Sequence, residues 1–384
     1  MITPLVIFFW LSAAFVFYSY AGYPALLRLF AALFGRPVRC DGGHAPSVAV
    51  VIPVYNEEKV IAKKIENVLA LDYPPQLLTV WVGSDASTDR THEIVRGFSD
   101  PRIRLWIAPR RGGKTEILNN VVPQTGSDIV FFTDANTMHR ADSLKKMVAC
   151  YADPAVGAVA GHIDHLTGGA GEEEEEVFYR SFESRQKELE SRLHSAIAAF
   201  GGFYTIRRSL FSPIPFNAYS NDDVMIPMNV IRRKCRVIFC RQAVSYEDTS
   251  QSTAVEFRRR IRIGAGNFQA FFWLADFLNP LQGWPWFCYV SHKVTRWFSP
   301  FFLLLAVVSA CGLAAARPLS VYALAAWCGA GAVAAGLSSR FLPFKSTRHL
   351  FYFILMNAAL IAGFFRYCRG IRSAAWDRTQ RSQG

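Results

Sequence analysis

The sequence predicts an α/β fold, a largely parallel sheet with helices on both faces, set between apolar segments long enough to cross a membrane. Three observations predict it. Short runs rich in Val, Ile and Phe alternate with helical patterns through the middle of the chain. Those runs are almost continuously apolar, as strands covered on both faces are. Hydrophobic residues, 51% of the 384, are concentrated in a few long stretches toward the two ends.

The strand runs are "SVAVVIPVY" (47–55), "LLTVWVGSD" (77–85), "IRLWIA" (103–108), "DIVFFTD" (128–134) and "AVGAVAG" (155–161). Helical patterns fill the gaps at 57–70, 88–98, 114–121 and 141–152. A long helical stretch at 171–197 begins with five consecutive glutamates. They suit the positive end of a helix dipole, and a solvated helix terminus explains them better than an ion site.

Residues 5–34, 297–316, 319–337 and 350–365 are nearly free of charge. Stretches of roughly 18 or more apolar residues read as membrane spans. The first has too long an apolar part for a signal peptide and no small-residue cleavage site, so it reads as an uncleaved anchor. The expected organisation is an anchor at 1–36, a cytoplasmic domain at 45–255, interfacial amphipathic helices at 256–292, transmembrane helices at 293–368 and a basic tail at 369–384. The stretch 268–290, with Pro280, Gly283, Pro285 and several Trp, reads as interfacial rather than spanning.

The net charge of +12 is localised: from Pro285 onward nine Arg and two Lys face one acid, Asp377. A nucleic-acid protein would carry its basic stripe on the polar domain, so that class is excluded, and anionic lipid is the expected partner of these charges. The eight cysteines are scattered, with no Cys-x-x-Cys pair, so neither a disulfide framework nor a zinc site is expected.

Ligands of such sheets bind beyond the carboxyl ends of the strands. Three strands end in Tyr55-Asn56-Glu57, Ser84-Asp85 and Thr133-Asp134-Ala135-Asn136. Asp85 sits at a strand tip, whereas Asp89 reads as a helix cap. "RRGGKTEI" (110–117) tempts toward a phosphate-binding P-loop, but the required first glycine is Ala108. What remains is Lys114 near glycines at a helix start, an anion contact.

"SNDDVMIPM" (220–228) sets Asp222 beside Asp223. Capping accounts for one acid but not two, and adjacent carboxylates push one pKa up, as a general base needs. "EFRRRIRIGAGNFQ" (256–269) carries Arg258, Arg259, Arg260 and Arg262. Either a membrane-surface helix or a diphosphate clamp would use them. "GGFYTIRRSLF" (201–211) offers glycines that admit a ligand to the backbone or merely make a turn. His162 and His165 would point to opposite faces of a strand and lack a third ligand, so they are not expected to bind metal.

Taken in order, from "VVIPVYNEE" to "GAGNFQ", these pieces resemble the membrane-bound family 2 glycosyltransferases, which include the cellulose, hyaluronan, chitin-oligosaccharide and poly-N-acetylglucosamine synthases. The resemblance implies a GT-A-type, Rossmann-like mixed sheet with helices on both faces, plus transmembrane helices. It implies that Pro53, Tyr55, Glu57 and Asp85 contact the uridine part of a nucleotide-sugar donor, with Lys114 close by. Asp134 matches the first acid of a D-x-D motif, which holds metal and diphosphate, and Asp223 the second acid of an E-D pair, the general base. Arg259 and Arg262 fall on the Gln and Arg of Q-x-x-R-W. Three departures accompany the match. Asn136 replaces the second D-x-D acid, Asp222 the usual Glu, and the Gln and Trp of Q-x-x-R-W are lost, with Ile263 in place of the Trp.

The implied reaction is a single displacement at sugar C1 with inversion, at a bacterial-type inner membrane with the catalytic domain cytoplasmic. Asp223 would take the acceptor proton, with Asp222 beside it. Arg262 and Mg2+ or Mn2+ on Asp134, with the carbonyl oxygen of Asn136, would neutralise the leaving diphosphate. The acceptor is expected to be a growing polysaccharide, with an export or synthase subunit as partner. The alternatives are addition of one sugar to a lipid-linked acceptor or glycolipid, and a non-enzymatic transport or scaffold subunit.

Overall fold

The computed structural model describes residues 2–165, 172–247, 253–340 and 344–371. The chain divides into two compact units. One is built chiefly from Phe30–Gly168 and Tyr179–Gln251, the other from Met1–Leu29, Gly169–Phe178 and Ser252–Gly370.

The first unit holds an eight-stranded sheet. In chain order the strands are β1 (Val48–Val54), β2 (Leu78–Ser84), β3 (Ile103–Ile107), β4 (Ile129–Phe132), β5 (Thr137–His139), β6 (Val156–His165), β7 (Tyr204–Arg207) and β8 (Arg236–Glu247). Their order across the sheet is β3-β2-β1-β4-β7-β6-β8-β5. The first four are mutually parallel. Strand β7 runs antiparallel to both β4 and β6, and β5 antiparallel to β8. The sheet is therefore mixed, with the expected parallel half and a second half that breaks the pattern.

Every residue of β1 is buried, consistent with its central place. Pro53 is tolerated there because of where β4 stops. The β1–β4 pairing ends at Val51↔Phe132, and Thr133 N–H closes onto the Val51 carbonyl at 3.2 Å. Backbone groups two residues apart on a strand point the same way, so the position of the missing Pro53 N–H faces no partner strand. The helix Ile61–Leu69 covers one face with Ile61, Ile65 and Val68, and the helix Ser143–Ala149 adds Leu144, Met147 and Val148. Each fully buried aliphatic side chain contributes about 1.5–3 kcal/mol. The helix Lys114–Val121 lies so close to β2 that a Cβ on Gly83 would stand 2.2 Å from the Ile117 side chain.

Among the described residues, three helices, lying wholly or mostly in the second unit, are long and apolar enough to cross a membrane: Ile2–Phe34, Trp284–Ala316 and Lys345–Cys368. Val321–Leu337, also expected to span, is a 17-residue apolar helix. At 1.5 Å per residue it reaches roughly 26 Å, a little short of a hydrocarbon core of roughly 30 Å. The helix that holds the expected span 297–316 begins at Trp284. Pro285 lies in the first turn of that helix, where its missing N–H costs nothing, so it starts the helix instead of breaking the segment. Ahead of it lie two 3-10 turns, Ala275–Leu278 and Pro280–Gln282. The arginine-rich stretch is helical, Thr253–Trp273. It meets Lys345–Cys368 at Gly264 and Gly363, where a Cβ on Gly363 would approach the Gly264 Cα to 2.8 Å. Such close backbone approach through small residues is typical of helices packed in lipid. Most of the basic tail, 372–384, lies outside the described residues.

Candidate active site

The tips of β2, β1 and β4 are neighbours at one rim of the sheet, so Asp85, Tyr55 and Asp134 are brought together by topology. The loop after β1 is laced to the loop after β2. Thr88 N–H donates to Asn56 Oδ1 at 2.7 Å, and Glu57 N–H to Thr91 Oγ1 at 2.9 Å. Asn56 adopts a left-handed φ of 54°, which an asparagine tolerates. Asp89 accepts from Thr91 N–H at 3.0 Å and Glu58 N–H at 3.1 Å, the capping role expected of it. Glu57 is half-buried in this loop, and Pro53 is buried within β1.

Asp85 is fully buried. Its Oδ1 accepts from the backbone N–H groups of Gly112 at 2.7 Å and Gly113 at 3.0 Å. Its Oδ2 has no hydrogen-bond partner, and the nearest cation is Arg111 Nε at 3.8 Å. The Arg111 guanidinium lies over the Tyr55 ring, 3.7 Å from its centroid. A buried carboxylate with one oxygen that lacks a hydrogen bond is a fitting seat for a planar N–H donor. Sequence reading had passed over Arg111.

The charged centre is Lys114. Its Nζ lies 3.0 Å from Asp134 Oδ1, 3.1 Å from Asp222 Oδ2 and 3.1 Å from the Gly201 carbonyl oxygen. Burial works against its charge, but Asp134 and Asp222 outweigh burial and hold Lys114 above the usual lysine range. Tyr204, at the start of β7, donates its hydroxyl to Asp222 Oδ2 at 3.1 Å. Burial first, and the neighbouring carboxylates second, raise the Tyr204 pKa, so it stays a donor.

The glycines 201–202 approach this centre by their backbone. A Cβ on Gly202 would stand 2.4 Å from Thr137 Oγ1 and 3.3 Å from Asp134 Oδ2, and one on Gly201 3.7 Å from Asp223 Oδ2. Asp223 opens the helix Asp222–Arg232, which contains Pro227. Proline has no N–H for the carbonyl four residues back, which is that of Asp223. Ala199 N–H takes the freed carbonyl at 2.8 Å. Pro227 thus ties the acid pair to the segment that leads into Gly201 and Gly202.

Asn136 turns its amide to the sheet. Its Nδ2 donates to Glu247 Oε1 at 3.1 Å, and Arg180 Nη1 holds Glu247 Oε2 at 3.0 Å. Beneath the turn lies Lys64, fully buried, with Nζ 2.8 Å from Thr133 Oγ1 and 2.8 Å from His139 Nε2, and a bond to the Thr137 carbonyl. Burial pushes the Lys64 pKa far down, against the pull of Asp134. Burial and Lys64 together push His139 down. Lys64 therefore clasps the turn on both sides of Asp134 and Asn136.

Asp134 and Asp222 already converge on a cation, and carboxylate oxygens are the hard donors that Mg2+ or Mn2+ takes. Among the described residues, no three His, Cys, Asp or Glu side chains form a ready metal cluster. A divalent ion fits here through one or two carboxylates together with donor phosphates. His162 instead bonds Ser184 Oγ at 3.0 Å. Arg259 and Arg262 are on the helix Thr253–Trp273 in the other unit, where Arg259 Nη1 pairs with Glu256 at 3.3 Å.

Residues 49–214 match the sequence model of glycosyl transferase family 2. A β-monoglucosyldiacylglycerol synthase of Synechocystis sp. is 36% identical over 118 residues, 30% of this chain and 25% of that protein. An N-acetylglucosaminyltransferase of Bradyrhizobium elkanii is 27% identical over 160 residues, 38% of this chain and 86% of that protein. The chain thus spans about a quarter of the length of the first relative. A mannosyltransferase of Pyrobaculum calidifontis, solved with GDP-Man and Mn2+, superposes with a TM-score of 0.75 at 23% identity, covering 96% of this chain and 99% of that one. That likeness establishes a GT-A-like fold. The family 2 match thus covers Asp85, Lys114 and Asp134 and ends ahead of Asp222 and Asp223.

Proposed function

We propose that this chain transfers a sugar from a nucleotide-diphosphate donor, a UDP-sugar first among the candidates, to a hydroxyl presented at a membrane, with inversion at C1. The observation that carries the reading is the Lys114 centre, with Asp134 at 3.0 Å, Asp222 at 3.1 Å and the glycine backbone at 3.1 Å. It gathers one cation and two carboxylates, donors for a divalent ion that would neutralise a diphosphate, at the rim where such sheets bind ligands. Asp85 accepts an N–H of the base through its open oxygen, and Tyr55 provides a ring surface beside it. Asp134 and Asp222, with the carbonyl oxygen of Asn136, would hold Mg2+ or Mn2+, which when bound neutralises charge on the leaving diphosphate. Asp223 lies in the first turn of the helix Asp222–Arg232, beside the Gly201 backbone, and we assign it to take the acceptor proton.

We place the protein in a bacterial-type inner membrane, with the catalytic unit on the cytoplasmic side. Two observations favour a lipid-linked acceptor or glycolipid over the growing polysaccharide that the synthase resemblance implies. The Gln and Trp expected at 259 and 263 are Arg and Ile. The first relatives bear the name of a glycolipid synthase. A non-enzymatic subunit has no use for the charged centre. The test is purified membranes with a panel of UDP- and GDP-sugars, reading nucleoside diphosphate release and product size. Single-sugar lipid products are expected, a ladder of long glycans would restore the polymer reading, and no release with any donor would refute the transferase.

A further inference from the structure

Three of the eight cysteines, scattered in sequence, come together in the fold. Cys40 is exposed on the connector ahead of β1, whose Asp41 N–H bonds the Ala149 carbonyl at 3.0 Å. Cys150 is buried at the end of the helix Ser143–Ala149, and its Sγ lies 3.4 Å from Cys40 Sγ. Cys240 is on β8, and both Cys150 Sγ at 3.7 Å and Cys240 Sγ at 3.8 Å reach the Lys146 carbonyl. Beyond Cys240 the β6–β8 register breaks: Gly161 faces Cys240 and His162 faces Val244, so residues 241–243 bulge out.

We propose that Cys40 and Cys150 form an oxidation site, in which a peroxide joins them as a disulfide. The Cys40 sulfur attacks the peroxide O–O bond, forming a sulfenic acid and releasing one water. Cys150 then attacks the Cys40 sulfur. The S–S bond forms, and the sulfenic oxygen leaves as a second water, carrying the Cys150 proton. Two thiols lose two electrons and the peroxide gains them. The sulfurs close from 3.4 Å to a bond of roughly 2 Å, a short movement for a residue on an exposed connector. The bridge would tie the connector to the layer formed by the helix Ser143–Ala149 and β8.

The test treats the full-length, reduced protein in detergent with hydrogen peroxide, blocks remaining thiols under denaturing conditions and maps the peptides by mass spectrometry. A single bridge between Cys40 and Cys150 is expected, absent in Cys40→Ser, whose change on an exposed connector leaves the core intact. Over-oxidised Cys40 with no bridge, or a bridge to another cysteine, would overturn the site. No sugar transfer is read, so the outcome is independent of the transferase reading.

Discussion

Replacing Asn136 by Asp restores the usual second carboxylate of the motif, and the structure predicts a cost. The Asn136 amide donates to Glu247 Oε1 at 3.1 Å, where Glu247 and its partner Arg180 are 13% and 12% exposed. Asn136→Asp removes a hydrogen bond to a charged group, worth about 1.5–3 kcal/mol, and sets two carboxylates against each other. Arg180 compensates part of the repulsion, so the net loss is about 2–3 kcal/mol. At 2–4 °C per kcal/mol for a domain of this size, the melting temperature falls by roughly 4–12 °C. The sign with pH follows. Proximity raises the folded-state pKa of one carboxylate, so the penalty is present above that value and is lost as pH falls through it. The assay is thermal unfolding in detergent at about pH 8 and about pH 5, with and without Mn2+, for Asn136→Asp alone and combined with Glu247→Gln. The combined variant should recover most of the loss. An Asn136→Asp protein that melts with the parent at the higher pH without metal would refute the claim that Glu247 fixes this residue.

Three further predictions use neighbouring contacts. Lys114→Met removes the cation shared by Asp134 and Asp222, so added Mn2+ should raise its melting temperature more than the parent's; an equal rise would mean that Lys114 and the metal do not compete for the same carboxylates. Lys64 has a depressed folded-state pKa, so the unfolded chain binds a proton that the folded chain does not, and stability rises with pH toward the ordinary 10.5. Lys64→Met should flatten that rise in melts from about pH 6 to about pH 9, and an unchanged slope would assign it to other groups. Gly202→Ala drives a methyl to 2.4 Å from Thr137 Oγ1, an overpacking cost of about 1–3 kcal/mol; a parent-like melt and turnover would show that the glycine is there only for its turn.

The parallel half of the sheet was legible because its strands are continuous Val/Ile/Phe runs. Strands β7 and β8 were not, since "YTIR" is four residues long and "RVIFCRQAVSYE" mixes Arg and Gln into a bulged strand. The strand-tip acids were legible because acids that end apolar runs are conspicuous. Lys64 carried a signal that went unread: Ile61, Lys64, Ile65 and Val68 follow the spacing of one helix face, so a lysine stood on the apolar stripe. Arg111 carried none, because its place over Tyr55 depends on the loops after β1 and β3 meeting. The cysteine cluster could not be read either, since Cys40 and Cys150 are 110 residues apart.

The central claim is that Asp223 removes the acceptor proton in a transfer from a nucleotide-diphosphate sugar. The measurement is transfer rate and nucleotide affinity, side by side, for Asp223→Asn with the donor that the panel identifies. The account predicts unchanged nucleotide binding with transfer reduced at least ~100-fold. Transfer at the parent rate would contradict it.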